Sequence, residues 1–312
     1  MSKSRTVYLL ALLYALIIGF AFLFTKLALD YADPIDTLAW RFTIAFIGLA
    51  IPIRAGWIKL DRRGGSWWRI IPIGLLYPAA FFAFQAWGLT YTASSEAAIF
   101  QATAPIFTLI MASMILKEST SMGQKLSVLI SVGGVVFIVV MSGGSVHGTS
   151  ITGIILIIVS VFALSLYGVL ARWYRNDFSP MQMSYVMMLM GCILFDALAL
   201  GKHASAGTLD KLWEPMTNPV FVASLLYIGL ISSLLSSIMS NYLLSKIEAY
   251  KMSMFTNLGT FVSILAGIIF LNEKLAYYHL IGCAFIVFGV FGAIGVIPFP
   301  GRNKRRTEVK PT

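Results

Sequence analysis

The sequence predicts an all-α polytopic membrane protein: ten transmembrane helices as two inverted five-helix repeats, with both termini cytoplasmic. Three observations carry this reading. Of 312 residues, 58% are hydrophobic and 12% charged, about half the charged share of a globular protein. A soluble fold that apolar cannot cover its surface with polar groups, so most of the chain faces lipid or other embedded helices. The apolar residues fall into ten runs of spanning length, and the chain resembles itself at a fixed offset.

A helix needs about 20 mainly apolar residues to cross a ~30 Å hydrocarbon core. The runs are 7–29, 35–54, 70–90, 94–116, 123–141, 152–171, 180–200, 219–244, 249–271 and 276–297. The first follows Lys3 and Arg5; it is too long for a signal peptide, lacks a small-x-small cleavage site, and is expected to remain as an anchor. Asp30-Tyr-Ala-Asp-Pro34 starts the second, and the basic stretch from Lys59 to Gly65 separates it from the third. Lys117-Glu118 ends the fourth, Ser142-Gly-Gly-Ser145 the fifth, and Arg175-Asn-Asp177 follows the sixth. The longest connection is 201–218, and a basic tail occupies 298–312. The runs are apolar on all sides, which excludes the alternating ten-residue segments of a barrel.

The charge is lopsided, 23 Lys+Arg against 13 Asp+Glu. With the N-terminus inside, the inner face receives Lys3, Arg5, Arg54, Lys59, Arg62, Arg63, Arg69, Lys117, Lys125, Arg172, Arg175, Lys246 and Lys251. The tail adds Arg302, Lys304, Arg305, Arg306 and Lys310, which makes eighteen; the outer face receives only Lys202, Lys211 and Lys274. This positive-inside bias sets the orientation. It places Asp30, Asp33 and Asp36 outside and assigns the tail to orientation and anionic lipid rather than to nucleic acid. Cys192 and Cys283 lie in apolar runs as packing residues, and His147, His203 and His279 are scattered. No disulfide framework, metal site, cofactor or catalytic constellation is expected.

Shifted by 155 residues, Leu89 falls on Leu244, Phe100 on Phe255, Leu116 on Leu271, Glu118 on Glu273 and Gly134 on Gly289. Nearer the front of each half the offset is 146, where Pro34 meets Pro180 and Lys26 meets Arg172. Each half, 7–141 and 152–297, holds five spans, an odd number, so the second enters the membrane from the opposite side. Inverted repeats suit alternating access around a midplane site; channels and some membrane enzymes also contain repeats.

Pro34 followed by Arg41 in the second span, the Leu-Lys-Glu118 and Leu-Asn-Glu273 endings, and glycine-rich fifth and tenth spans resemble the EamA family of the drug/metabolite transporter superfamily. The resemblance covers about residues 7–297. It implies secondary transport, usually export, of amino acids or other small metabolites. It also implies a central cavity lined mainly by spans 1, 3, 4, 6, 8 and 9, with 5 and 10 peripheral. Pro105, whose repeat partner is Thr260, departs from the symmetry, and no substrate is carried over.

Polar groups at membrane depth are costly and need a partner or a cavity. Gln85 and Trp87, two turns past Tyr77 and Pro78, correspond to Ser240 with Asn241 and Tyr242; Gln101 corresponds to Thr256, beside Asn257. Gln85, Trp87, Gln101, Asn241, Tyr242 and Asn257 are the candidate substrate cavity, with interhelical hydrogen bonding as the alternative. Lys26, Arg41 and Arg172 are candidate gates: Lys26 otherwise snorkels towards Asp30, and Arg41 otherwise pairs with the outer acids. Asp196 is expected to pair with Lys202, Glu118 and Glu273 to be boundary residues, and Glu96 to sit at a helix start. Pro78 and Pro105 are expected to kink their spans. Gly133, Gly134, Gly282, Gly289, Gly292 and Gly295 allow close helix contact, between spans or across a homodimer. The reading is therefore a secondary carrier of the inner or plasma membrane exporting a small-molecule substrate, with uniport, exchange and proton coupling all open. The alternative is an intramembrane enzyme or an assembly factor.

Overall fold

A computed structural model describes residues 3–60, 67–89, 91, 100–101, 103–118, 120–141, 151–270 and 276–294. Arg62, Arg63, Glu96, His147, Glu273, Lys274, Gly295 and the tail 298–312 lie outside these. The described residues are predominantly helical, without a strand: α1 (Lys3–Leu29), α2 (Pro34–Arg54), α3 (Ile71–Gly74), α4 (Phe81–Leu89), α5 (Ala104–Ile115), α6 (Met122–Met141), α7 (Ile151–Trp173), α8 (Pro180–Ala206), α9 (Pro219–Leu226), α10 (Ser236–Lys246), α11 (Ala249–Phe270) and α12 (Tyr277–Ile294). Among the described residues, six stretches are long and apolar enough to cross a bilayer: Arg5–Leu29, Pro34–Arg54, Trp67–Gln85, Ile151–Asn176, Pro180–Ala206 and Pro219–Lys246. Ala104–Ile115, Met122–Ile138 and Tyr277–Ala293 are shorter apolar helices.

α2 and α8 start by the same device. Proline occupies the first turn, where its missing N–H costs nothing, and the preceding residue caps the helix. Asp33 accepts from the amides of Ile35 at 3.0 Å and Asp36 at 3.2 Å; Ser179 and Gln182 form a reciprocal capping box. These caps are 146 residues apart, the offset at which the sequence repeats.

Two segments interrupt regular helix: Leu75–Ala80, a kink between α3 and α4 at Tyr77-Pro78 as expected from the proline, and Tyr227–Leu235, a wide π-turn segment between α9 and α10. Tyr77, which precedes Pro78, is extended (φ −141°, ψ 120°), the conformation a following proline favours. Pro105 instead stands in the first turn of α5 and begins that helix rather than kinking it.

The most extensive helix contacts are α6 with α12, α1 with α11, and α2 with α8; α7 packs on both α4 and α5. Residue pairings give their directions. Tyr8 meets Phe255 and Gly19 meets Val262, so α1 and α11 run parallel. Ser165 reaches the Ala104 carbonyl and Arg172 reaches Glu118, so α5 and α7 also run parallel. Asp36 meets His203 and Phe46 meets Tyr185, so α2 and α8 are antiparallel. Along α6 and α12, Gly134 faces Gly282 while Ser131 faces Gly289, again antiparallel.

Glycine sets the closest approaches. A Cβ on Gly134 would stand 2.6 Å from the Gly282 carbonyl oxygen, and one on Gly289 would stand 2.6 Å from that of Ser127. Gly133, next in sequence, would meet nothing within 4 Å. The pair Gly74 and Gly229, 155 residues apart, play matching parts: Gly74 is filled by Met190 of α8 and Gly229 by Ile44 of α2.

The start of α2 and the end of α8 are tied by charge. Lys202 bonds both Asp33 and Asp36, and His203 bonds Asp36 at 2.9 Å through Nε2 and Thr208 at 2.8 Å through Nδ1. Lys202 therefore does not pair with Asp196, contrary to the expectation from the sequence. Six residues on one helix are turned about 240° apart, and Asp196 accepts from Thr43 at 2.8 Å and from the Cys192 thiol at 3.1 Å. Connection 207–218 folds as 3-10 turns whose Leu212 carbonyl accepts from the Trp40 indole at 3.0 Å. Burial pushes the Asp33 carboxyl up, but the bonds from Lys202 and from the Asp36 amide outweigh it and hold the pKa below its usual 3.8.

Gly134→Ala is expected to force α6 from α12 and destabilise the fold by about 1–3 kcal/mol, whereas Gly133→Ala leaves it unchanged; thermal unfolding in detergent compares them. Asp33→Asn keeps the cap and loses the charge. The wild type is therefore expected to be the more stable at neutral pH. Because the folded pKa is depressed, that difference disappears as pH falls below 3.8 through the folded value, read as the melting difference across an acid series.

Candidate functional site

The densest buried polar region lies where α1, the kinked segment Leu75–Ala80, α7, α8, α10 and α11 meet. Tyr77 stacks on Tyr167, ring centroids 4.9 Å apart and planes at 22°. The Tyr167 hydroxyl lies 3.2 Å from the Ser240 hydroxyl and donates to the Asn241 Oδ1 at 3.2 Å. Asn241 Nδ2 donates to the Ser184 hydroxyl at 2.9 Å, and Ser237 donates to the same oxygen at 3.0 Å. Tyr14 on α1 is buried with its hydroxyl in the neighbourhood of Thr256 and Ser240. Three tyrosines, three serines, an asparagine and a threonine thus form a neutral network of donors and acceptors with aromatic walls.

Arg41 stands beside this network. Its Nε donates to Ser233 at 2.6 Å and its Nη2 reaches Ser232 at 3.4 Å, both on the π segment Tyr227–Leu235. The guanidinium lies over the rings of Phe82 at 5.0 Å and Phe42 at 5.6 Å, in the field of Tyr77. The side chain is 7% exposed. Asp36 does not pair with it as the sequence suggested: five residues earlier, it lies about 140° round the helix and faces His203 and Lys202.

In the last turn of α7, Arg172 collects the ends of several helices. It pairs with Glu118 just beyond α5 and donates to the carbonyls of Leu244 at 3.0 Å and Ile247 at 2.6 Å at the end of α10. Those terminal carbonyls carry the negative end of the helix dipole, so a cation suits them. Glu248 pairs with Lys251 at 2.7 Å. Burial raises the Glu248 pKa, but Lys251 and Arg172 together draw it below its usual value.

The residues singled out from the sequence divide. Asn241 is fully buried inside the network and Asn257 is buried on α11 next to Thr256. Tyr242, one position and about 100° on from Asn241, is 37% exposed, with the Lys246 ammonium 5.7 Å from its ring. Gln85 is half-buried on α4 and Trp87 is 64% exposed there; Gln101 is half-buried ahead of α5. Lys26 is exposed in the last turn of α1. The structure thus joins Asn241 with Tyr167, Ser184 and Ser237, and Arg41 with Ser232 and Ser233, none of which periodicity singled out. The readable signal was the run Ser232-Ser233, Ser236-Ser237, Ser240, too many hydroxyls for a lipid-facing stretch. Among the described residues no three His, Cys, Asp or Glu side chains converge as metal ligands.

The model of the EamA-like transporter family matches the chain twice, at residues 5–140 and 151–295. The chain is 46% identical over 291 residues to the uncharacterized transporter YcxC of Bacillus subtilis, covering 93% of each protein. It is 26% identical over 278 residues to an uncharacterized transporter of Archaeoglobus fulgidus, covering 88% of this chain and 93% of that one. A solved crystal structure shares the fold with a TM-score of 0.73 at 17% identity, over 93% of this chain and 96% of the other. With the family matched over both halves and a relative at 46% identity along nearly the whole length, this chain belongs to the EamA-like transporter family.

Proposed function

We propose that the protein is a ten-span secondary carrier that exports amino acids or related small metabolites across the cell membrane by alternating access. Its two five-span halves are inserted in opposite senses, with both termini in the cytoplasm. The observation that carries this reading is the buried network of Tyr14, Tyr77, Tyr167, Ser240, Asn241 and Thr256, to which both halves contribute where they meet. Groups of this kind bind a small solute through hydrogen bonds and aromatic faces, and no covalent step is needed.

The helix pairings support the inverted arrangement. Successive traverses make odd and even spans run in opposite senses, so α1 and α11 (spans 1 and 9) should be parallel, as should α5 and α7 (spans 4 and 6). The pairs α2 with α8 and α6 with α12 (spans 2 with 7, and 5 with 10) should be antiparallel. The residue pairings have all four senses. Arg172 acts as the inner gate: its bonds to Glu118 and to the end of α10 hold the inner mouth shut, and releasing them opens the network to the cytoplasm.

In liposomes, Asn241→Ala leaves buried partners unsatisfied, a cost of ~1–3 kcal/mol, and is expected to slow transport of the cargo about tenfold. Tyr242→Phe is expected to leave it within about twofold. Failure of a labelled amino-acid and metabolite panel to enter faster than into empty vesicles counts against the carrier. Single cysteines placed at Asp33 and Arg175, with Cys192 and Cys283 replaced, are expected to label from opposite sides; labelling from one side overturns the topology.

A further inference from the structure

We infer that Arg41 is the charge-selecting group of the transport site and that the cargo carries a carboxylate or similar oxyanion on a partly apolar body; this rests on the carrier reading above. Ser232 and Ser233, which hold the guanidinium, lie at the middle of the 28-residue stretch Pro219–Lys246. The cation is therefore held near the midplane of the bilayer. Arginine does not discharge by losing its proton, as a buried lysine does, so the charge there is permanent.

Its surroundings do not neutralise it. Among the described residues no carboxylate pairs with Arg41: Asp36 is engaged by Lys202 and His203, and Asp196 by Thr43 and Cys192. The partners it has are two serine hydroxyls and two aromatic faces. Nη1 has no hydrogen-bond partner among the described residues. The end of the planar fork, which in arginine matches two oxygens of one oxyanion, remains for a ligand.

The position also fits a site that must work from both sides. Arg41 is held at one place where the helical ladder is interrupted, by Ser232 and Ser233 on Tyr227–Leu235, and reaches the other through Phe82, whose ring lies 5.7 Å from that of Tyr77 on Leu75–Ala80. Wide turns such as Tyr227–Leu235 recur at functional sites within helices. An oxyanion on Nη1 lies beside Tyr77 and so at the edge of the tyrosine network, whose hydroxyls bind the remaining polar atoms. Phe82 and Phe42 offer apolar walls to the rest of the molecule.

The test compares oxyanions with their neutral amides at constant ionic strength: phenylalanine with phenylalaninamide, phenylacetate with phenylacetamide, and glycerol phosphate alone. In detergent, at least one oxyanion is expected to raise the melting temperature of the wild type while its amide does not. Arg41→Gln is expected to weaken that effect at least tenfold, with Arg41→Lys between the two. A response to glycerol phosphate alone assigns the oxyanion as a phosphate; a response to either carboxylate assigns it as a carboxylate. If no oxyanion acts, or if the amides or Arg41→Gln do equally well, the inference is overturned. Flux of the same compounds in liposomes separates the two readings. Oxyanion binding without flux overturns the carrier and leaves the Arg41 site, whereas flux with equal preference in wild type and Arg41→Gln overturns the site and leaves the carrier.

Discussion

Hydrocarbon offers no hydrogen bonds, so every backbone N–H and carbonyl in the spanning part must find its partner within the protein. That constraint makes the described residues helical and decides where helix can be broken. The two interrupted segments and the extended Tyr77 are covered by other helices: Tyr77 lies under Tyr167, and the serines of Tyr227–Leu235 are sealed by Arg41. The serines supply part of the cover themselves, as Ser236 donates back to the carbonyls of Ser232 and Ser233. Irregular backbone and polar side chains therefore occur together, each satisfying the other.

The same economy governs helix contact. Lipid tails are as apolar as leucine, so packing rather than the hydrophobic effect holds the helices together. Glycine permits the nearest approach. Gly134 with Gly282, and Gly19 with Gly259, bring one helix backbone against another, while Gly74 and Gly229 each admit a side chain of the opposite half. Each contact joins the first half of the chain to the second. Neither half is a closed unit, since each fills the glycine gaps of the other.

Much of the architecture was legible. Apolar run lengths outlined the helices, and the prolines at 34 and 180 marked two helix starts whose caps repeat at the same offset. The candidate site was legible only in part. Asn241 was singled out because an amide at depth is rare, but neighbours in sequence are not neighbours on a helix, and Tyr242 points elsewhere. Tyr14 and Tyr167 are unremarkable within apolar runs; only the crossing of α1 and α7 with α10 makes their hydroxyls converge. Arg41 was expected to reach the nearest acids, and helix periodicity carries Asp36 to another face.

The fixed cation at Arg41 has an electrical consequence. One elementary charge moved through 100 mV is worth ~2.3 kcal/mol. In a carrier that opens to each side in turn, the empty protein displaces the uncompensated guanidinium through part of that field. Once a monoanion is bound, the net charge moved is close to zero. Under the proposed carrier cycle, voltage would then act on the empty protein more than on the loaded one, drawing the vacant site towards the negative side of the membrane.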